Sequence, residues 1–198
     1  VKFTARSNGG HASAPSKGTP IARLSAFVNE VETHSPFRKK LLPEVSAMFT
    51  ELAPYAGFGM KLVFGNVWLF GPVLKAVMPA ISAQAGAMLK TTIAFTVQKG
   101  SDAYNVLPQE AYVGANMRFI PHQGEKESLE IIKKVADKYG LEPEVLFYQP
   151  ICRNCIRFAP VVYGPEQMKG MHGLNENIEY NCLPGAVRFY KNLIRAEK

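Results

Sequence analysis

The chain has 198 residues, 47% of them hydrophobic, enough for one large domain or one and a half small ones, and a formal net charge of +7. Its basic residues are dispersed, with no run longer than Arg38-Lys39-Lys40. No recognition-helix, ribonucleoprotein or zinc-finger pattern accompanies them, so the charge reads as a solvated face and not as a nucleic-acid patch.

Residues 1–7 alternate Val1, Phe3 and Ala5 against Lys2, Thr4 and Arg6, the pattern of a half-buried strand. A glycine-rich loop follows. Thr19 then reads as a helix N-cap with Pro20 at the first helical position, and Ile21, Leu24, Val28 and Val31 fall on one helical face. Residues 36–88 form an insertion rich in apolar groups but punctuated by Pro43, Pro54, Pro72 and Pro79, which predicts short, broken helices. Its uncharged stretch of residues 62–74 is interrupted by Gly65, Gly71 and Pro72 and stops at Lys75, too short and too broken to span a bilayer.

Order resumes with a β-branched strand at residues 91–99, a loop at 100–108 and a long alternating strand at 110–120, in which Ala111, Val113, Ala115, Met117 and Phe119 face one way. Residues 124–139 carry Leu129, Ile132, Val135 and Ala136 at helical spacing and end at Gly140, a fitting C-cap. A short strand is expected at 145–148. Strand, helix, strand, strand, helix, strand predicts an α+β fold: a ferredoxin-like four-stranded antiparallel sheet covered by two helices, with a helical insertion after helix one. Past residue 150 the register changes. Residues 151–163 read as extended, 164–180 as loop, and 183–196 as an amphipathic helix with Val187, Tyr190 and Ile194 on one face. This tail belongs to a second domain, giving 1–150 as one domain and 151–198 as a remnant of another.

Three cysteines, Cys152, Cys155 and Cys182, are an odd count that suits reduced thiols better than a disulfide-stapled secreted fold. The chain opens as extended, with no basic segment before an apolar one, so no signal peptide is visible; location stays open, with the cytoplasm favoured. Cys152-Arg153-Asn154-Cys155, with His172 and Cys182, invites a zinc-knuckle reading, but a single C-x-x-C is a weak signal and the remaining spacings match no common finger. Buried strand cysteines explain the pair better.

Three motifs carry chemistry. Gly9-Gly10-His11-Ala12-Ser13 places an imidazole at the tip of a turn whose glycines let backbone approach a ligand. Asn105 precedes Val106-Leu107-Pro108, and Arg118 lies on the following strand; an amide donor and a guanidinium fork suit a carboxylate, the plain alternatives being a capping Asn and a surface Arg. His172 stands in His172-Gly173-Leu174-Asn175-Glu176.

These motifs resemble pieces of the zinc aminoacylase and carboxypeptidase superfamily, which includes carboxypeptidase G-like and succinyl-diaminopimelate desuccinylase-like enzymes. Residues 1–150 resemble its lid, or dimerisation, domain, and the tail from Ile151 resembles the C-terminal end of its catalytic domain. The segments Asn66-Val67-Trp68-Leu69-Phe70-Gly71-Pro72 and Met88-Leu89-Lys90-Thr91-Thr92-Ile93-Ala94 resemble the enlarged lid of the Gly-Xaa and N-acyl amino acid carboxypeptidases. The resemblance implies that His11 helps stabilise the oxyanion, often in the partner subunit's active site, that Asn105 and Arg118 bind the substrate carboxylate, and that His172 is the last metal ligand.

The carboxylates of a dinuclear zinc site are missing. The only aspartates are Asp102 and Asp137, neither two residues from a histidine, and no two glutamates are adjacent. A stretch of the family's catalytic domain between the lid's last strand and Ile151 is also absent, as is everything before the lid. The expectation is therefore the lid part of a two-zinc amidohydrolase acting on N-acyl amino acids or short peptides, inactive by itself and binding no zinc pair. A homodimer is expected, with a monomer as the alternative if the insertion covers the same surface. Two rival readings are a purely non-catalytic dimerisation module and an insertion that contacts lipid or an acyl chain; where Trp68 sits discriminates between them.

Overall fold

The computed structural model describes residues 1–146, 160–171, 173 and 176–196. The chain divides into two compact units, Val1–Tyr148 and Gln149–Lys198.

In the first unit, β1 (Lys2–Arg6) leads through β2 (Gly10–His11) to α1 (Pro20–Thr33). The insertion supplies α2 (Pro43–Leu52), a 3-10 turn (Ala53–Tyr55), α3 (Phe58–Gly65), α4 (Val67–Ile81) and α5 (Ala83–Ala87). Then come β3 (Thr92–Lys99), β4 (Val106–Leu107), β5 (Glu110–Arg118), α6 (Gly124–Lys138) and β6 (Glu142–Glu144). The fold is α+β. Its four-stranded sheet has the order β3-β5-β1-β6 with every neighbouring pair antiparallel.

One sheet face is covered by α1 and α6. Phe3 from β1 and Phe27 from α1 are fully buried with ring centroids 4.7 Å apart, and Phe95 of β3 meets the Phe27 ring edge-on at 5.6 Å. Ala111, Val113 and Ala115 are buried as their alternation predicts. On α1 the buried stripe is Pro20, Leu24, Phe27 and Val31. Ile21, expected on that face, instead lies against Gly100, where an added Cβ would sit 2.8 Å from its Cδ1. The expected stripe was turned away from Phe27, the largest side chain of this helix face.

The helix ends match the chemistry of their caps. Thr19 precedes Pro20 at the first turn of α1. Gly140, at φ +62°, closes α6: its N–H donates to Asp137 O and that of buried Leu141 donates to Ala136 O, a Schellman motif. The last strand is a correction. It is β6, three residues earlier than expected, and Val145 and Leu146 lie outside it; the rest of 145–148 lies outside the described residues. Burial of Leu141 and the pairing of Lys2, Phe3 and Thr4 with Glu144, Pro143 and Glu142 fix its register, and an edge position tolerates the proline.

The insertion has its own small core, with Val45, Val67, Leu74, Met78 and Leu89 buried and Phe49 stacked on Phe64 at 4.8 Å. Pro72 and Pro79 do not end α4, which runs 15 residues. The break falls instead at Asn66, where α3 and α4 meet at 109°. Buried Thr91 ties the insertion to the sheet: its hydroxyl lies 3.0 Å from Ser128 Oγ and accepts from the Ile120 N–H at 3.3 Å.

The second unit contains α7 (Pro165–Gly170), a 3-10 turn (Tyr180–Cys182) and α8 (Leu183–Ala196). Val187, Tyr190 and Ile194 lie along α8 as predicted, and all three are exposed.

Candidate functional site

The ribbon formed by β1 and β5 continues past the sheet into a narrower one. Ser7 N–H donates to Gln109 O at 2.8 Å, Gly10 and His11 pair with Leu107 and Val106, and Ala12 N–H donates to Asn105 O at 2.9 Å. Two glycines make this path possible. Gly9 has φ +69° and Gly10 φ +142°; a Cβ on Gly9 would lie 2.8 Å from Gln109 Cγ and 3.3 Å from the Leu107 carbonyl oxygen.

This register brings His11 and Asn105 together at the tip of the ribbon, both exposed. Ser13 N–H donates to His11 Nδ1 at 3.2 Å, and the Ser13 hydroxyl lies 2.7 Å from the same nitrogen. A backbone N–H can only donate, so Nδ1 is an acceptor and the ring proton of the neutral imidazole sits on Nε2. That leaves His11 with one outward N–H donor, the group an oxyanion requires.

Arg118 lies elsewhere. It closes β5 opposite Thr92, while the ribbon leaves the sheet at the Glu110 end; the nine residues of β5, at a rise of about 3.4 Å from each to the next, separate those ends by about 27 Å. Within one chain, Asn105 and Arg118 do not converge on one carboxylate. Arg118 instead lines a cavity of about 400 Å³ with Leu42, Val45, Met88, Lys90 and Ile120 among its walls. Burial, with a smaller contribution from Lys39, holds the Lys90 ammonium below its ordinary pKa. An apolar pocket with two cations at its wall suits an amphipathic anion. Lys90 was missed in sequence because the insertion's return to the sheet, and not any motif, places it beside Arg118.

His172, the expected metal ligand, lies outside the described residues, as do Cys152 and Cys155. Cys182 has a free thiol. Among the described residues no three His, Cys, Asp or Glu side chains converge as a metal site would require, so these residues do not fit a metal centre.

Comparison with known protein families matches residues 1–144 to the peptidase dimerisation domain of the M20 type. This chain belongs to the M20 peptidase dimerisation domain family. The M20 chain is similar to the N-fatty-acyl-amino acid synthase/hydrolase PM20D1 of Xenopus tropicalis, with 26% identity over 94% of this chain and 45% of the relative. The human PM20D1 is likewise 26% identical, over 94% of this chain and 46% of its own length. A probable carboxypeptidase S-like 2 of Dictyostelium discoideum is 22% identical over 98% and 46%. The M20 chain thus spans about half the length of the curated relatives it matches. The frog alignment extends over 237 residues against 198 in this chain, so that relative carries a stretch within the match that has no counterpart here.

Proposed function

We propose that this chain is the lid and dimerisation part of a metal-dependent amidohydrolase that cleaves N-acyl amino acids or short peptides, and that it is inactive alone. The sheet order and two covering helices support a ferredoxin-like lid for residues 1–150. The exposed apolar face of α8 supports reading residues 151–198 as a remnant of a catalytic domain that would cover it. Zinc, two ions in this reading, belongs to that larger protein; His172 is the one candidate ligand this chain contributes.

The observation that carries the proposal is the separation of His11 and Asn105 from Arg118 along β5. One substrate cannot touch both ends within a single chain, so two chains share each site. Strand β3 offers the route. It is an eight-residue edge strand, whereas the opposite edge, β6, has three residues with a proline between two glutamates. Two-fold antiparallel pairing of β3 with a second β3 sets the Thr92 end of one chain beside the Lys99 end of the other. Arg118 pairs with Thr92, and the loop carrying Asn105 follows Lys99, so the homodimer directs one chain's Arg118 toward the other's His11 and Asn105.

In this arrangement His11 Nε2–H donates to the oxyanion as it forms, in a site that becomes dry only when a second surface covers the exposed ribbon. Arg118, helped by Lys90, holds the substrate carboxylate. The apolar cavity walls accommodate an acyl chain, in keeping with the fatty-acyl substrates named for the PM20D1 relatives.

Subunit complementation in the full-length enzyme tests this. His11→Ala and Arg118→Ala proteins should each lose most activity, about 100- to 1,000-fold for the histidine. Unfolded and refolded together, they should recover about a quarter of wild-type activity, because half of the dimers are hybrids with one intact site of two. No recovery, with hybrids demonstrably formed, would refute the shared site.

A further inference from the structure

Helix α4 is apolar on both sides. Its inward stripe, Val67, Gly71, Leu74 and Met78, packs in the insertion core, while Leu69, Val73, Val77 and Ile81 form an outward stripe at i, i+4, i+8 and i+12, exposed to solvent. Trp68, the only tryptophan, is 81% exposed at the start of that helix, and Phe58, at the start of α3, is 89% exposed. A surface of this kind marks a place where something apolar docks.

The charge pattern identifies the occupant. Between Glu51 and Asp102 the sequence has no carboxylate, and its charged residues there are Lys61, Lys75, Lys90 and Lys99. Of these, α3 and α4 themselves carry Lys61 and Lys75 and no acid, so a second copy laying α3 and α4 on their counterparts would bring cation against cation. Among the described residues no single helix is long and apolar enough to cross a membrane, and the 109° bend at Asn66 divides the apolar run into two shorter helices. Short apolar helices with outward aromatic and lysine residues, and no acid, suit the boundary between headgroups and acyl chains. We propose that the outward face of α3 and α4 docks on the surface of an anionic phospholipid bilayer, inserting Trp68 at the interface and leaving the lysines among the headgroups.

Trp68 reports the event directly. With the full chain, phosphatidylcholine vesicles containing phosphatidylserine should shift its emission to the blue, and brominated acyl chains should quench it. Leu69→Glu with Val77→Glu, both at exposed positions, should abolish the shift while leaving far-ultraviolet circular dichroism and the melting temperature unchanged. Lys61→Gln and Lys75→Gln should each weaken binding about fivefold. No spectral change with anionic vesicles would overturn the proposal. So would equal binding to pure phosphatidylcholine, or a lipid-independent blue shift, whether it grows with protein concentration (a second copy on the face) or is constant (another segment of the chain covering it).

Discussion

Gln109 leaves no room for a Cβ on Gly9: the added carbon would stand 2.8 Å from Gln109 Cγ. The contact sits where the broad sheet narrows into the ribbon bearing His11, so the backbone at Gly9 sets where that imidazole points. Gly9→Ala should cost about 1–2 kcal/mol from its φ of +69° alone, read as a lowered urea midpoint with unchanged slope. In the full-length enzyme it should also lower kcat while leaving substrate KM nearly unchanged. Wild-type kcat in a destabilised Gly9→Ala protein would show that the turn does not position His11.

Phe27 links the sheet to both helices, touching the rings of Phe3, Phe95 and Tyr139. Phe27→Ala should destabilise the first unit by about 3–5 kcal/mol, and Ile21→Ala, at a half-open position over Gly100, by much less. Chemical denaturation monitored by circular dichroism measures both; equal losses would mean that the burial pattern of α1 is wrong.

Glu30 joins α1 to the end of α6. It accepts from Lys138 Nζ at 2.8 Å and from the Tyr139 hydroxyl, and these bonds, Lys138 first, hold its carboxyl below the ordinary glutamate value. Because the folded-state pKa is depressed, the contribution is complete above the unfolded-state value, about 4.3, and is lost as pH falls through the folded one. Glu30→Gln should therefore flatten part of the acid limb of a stability profile and lower stability at neutral pH. An unchanged acid limb would show that the exposed ion pair contributes nothing measurable.

The chain alone should not hydrolyse N-acyl amino acids even with excess zinc, since its sequence carries neither an aspartate two residues from a histidine nor a pair of adjacent glutamates to bridge two metals and activate water. Turnover that survives repurification and disappears on His172→Ala would contradict this.

What could be read in the sequence followed strong local physics. Alternation in β1 and β5, the Thr19-Pro20 start of α1 and the Gly140 stop of α6 each announce themselves within a few residues. Strand β6 did not, because Glu142, Pro143 and Glu144 look like a turn until β1 is seen beside them. Pro72 and Pro79 looked like helix ends, yet α4 passes through both. At the site, His11 and Asn105 were legible as residue types, but their meeting depends on the β2–β4 register across 94 residues of intervening chain, and the distance of Arg118 from them depends on the full length of β5.

The sheet's two edges also govern how far assembly can go. Joining through β3, as proposed, would consume the long edge of each copy; the other edge among the described residues is β6, three residues long, with Pro143 unable to donate and glutamates on either side that repel their like. In the proposed dimer, growth by strand addition would therefore terminate at two copies: the same asymmetry that offers β3 for pairing would guard the protein against running on into a ladder of chains.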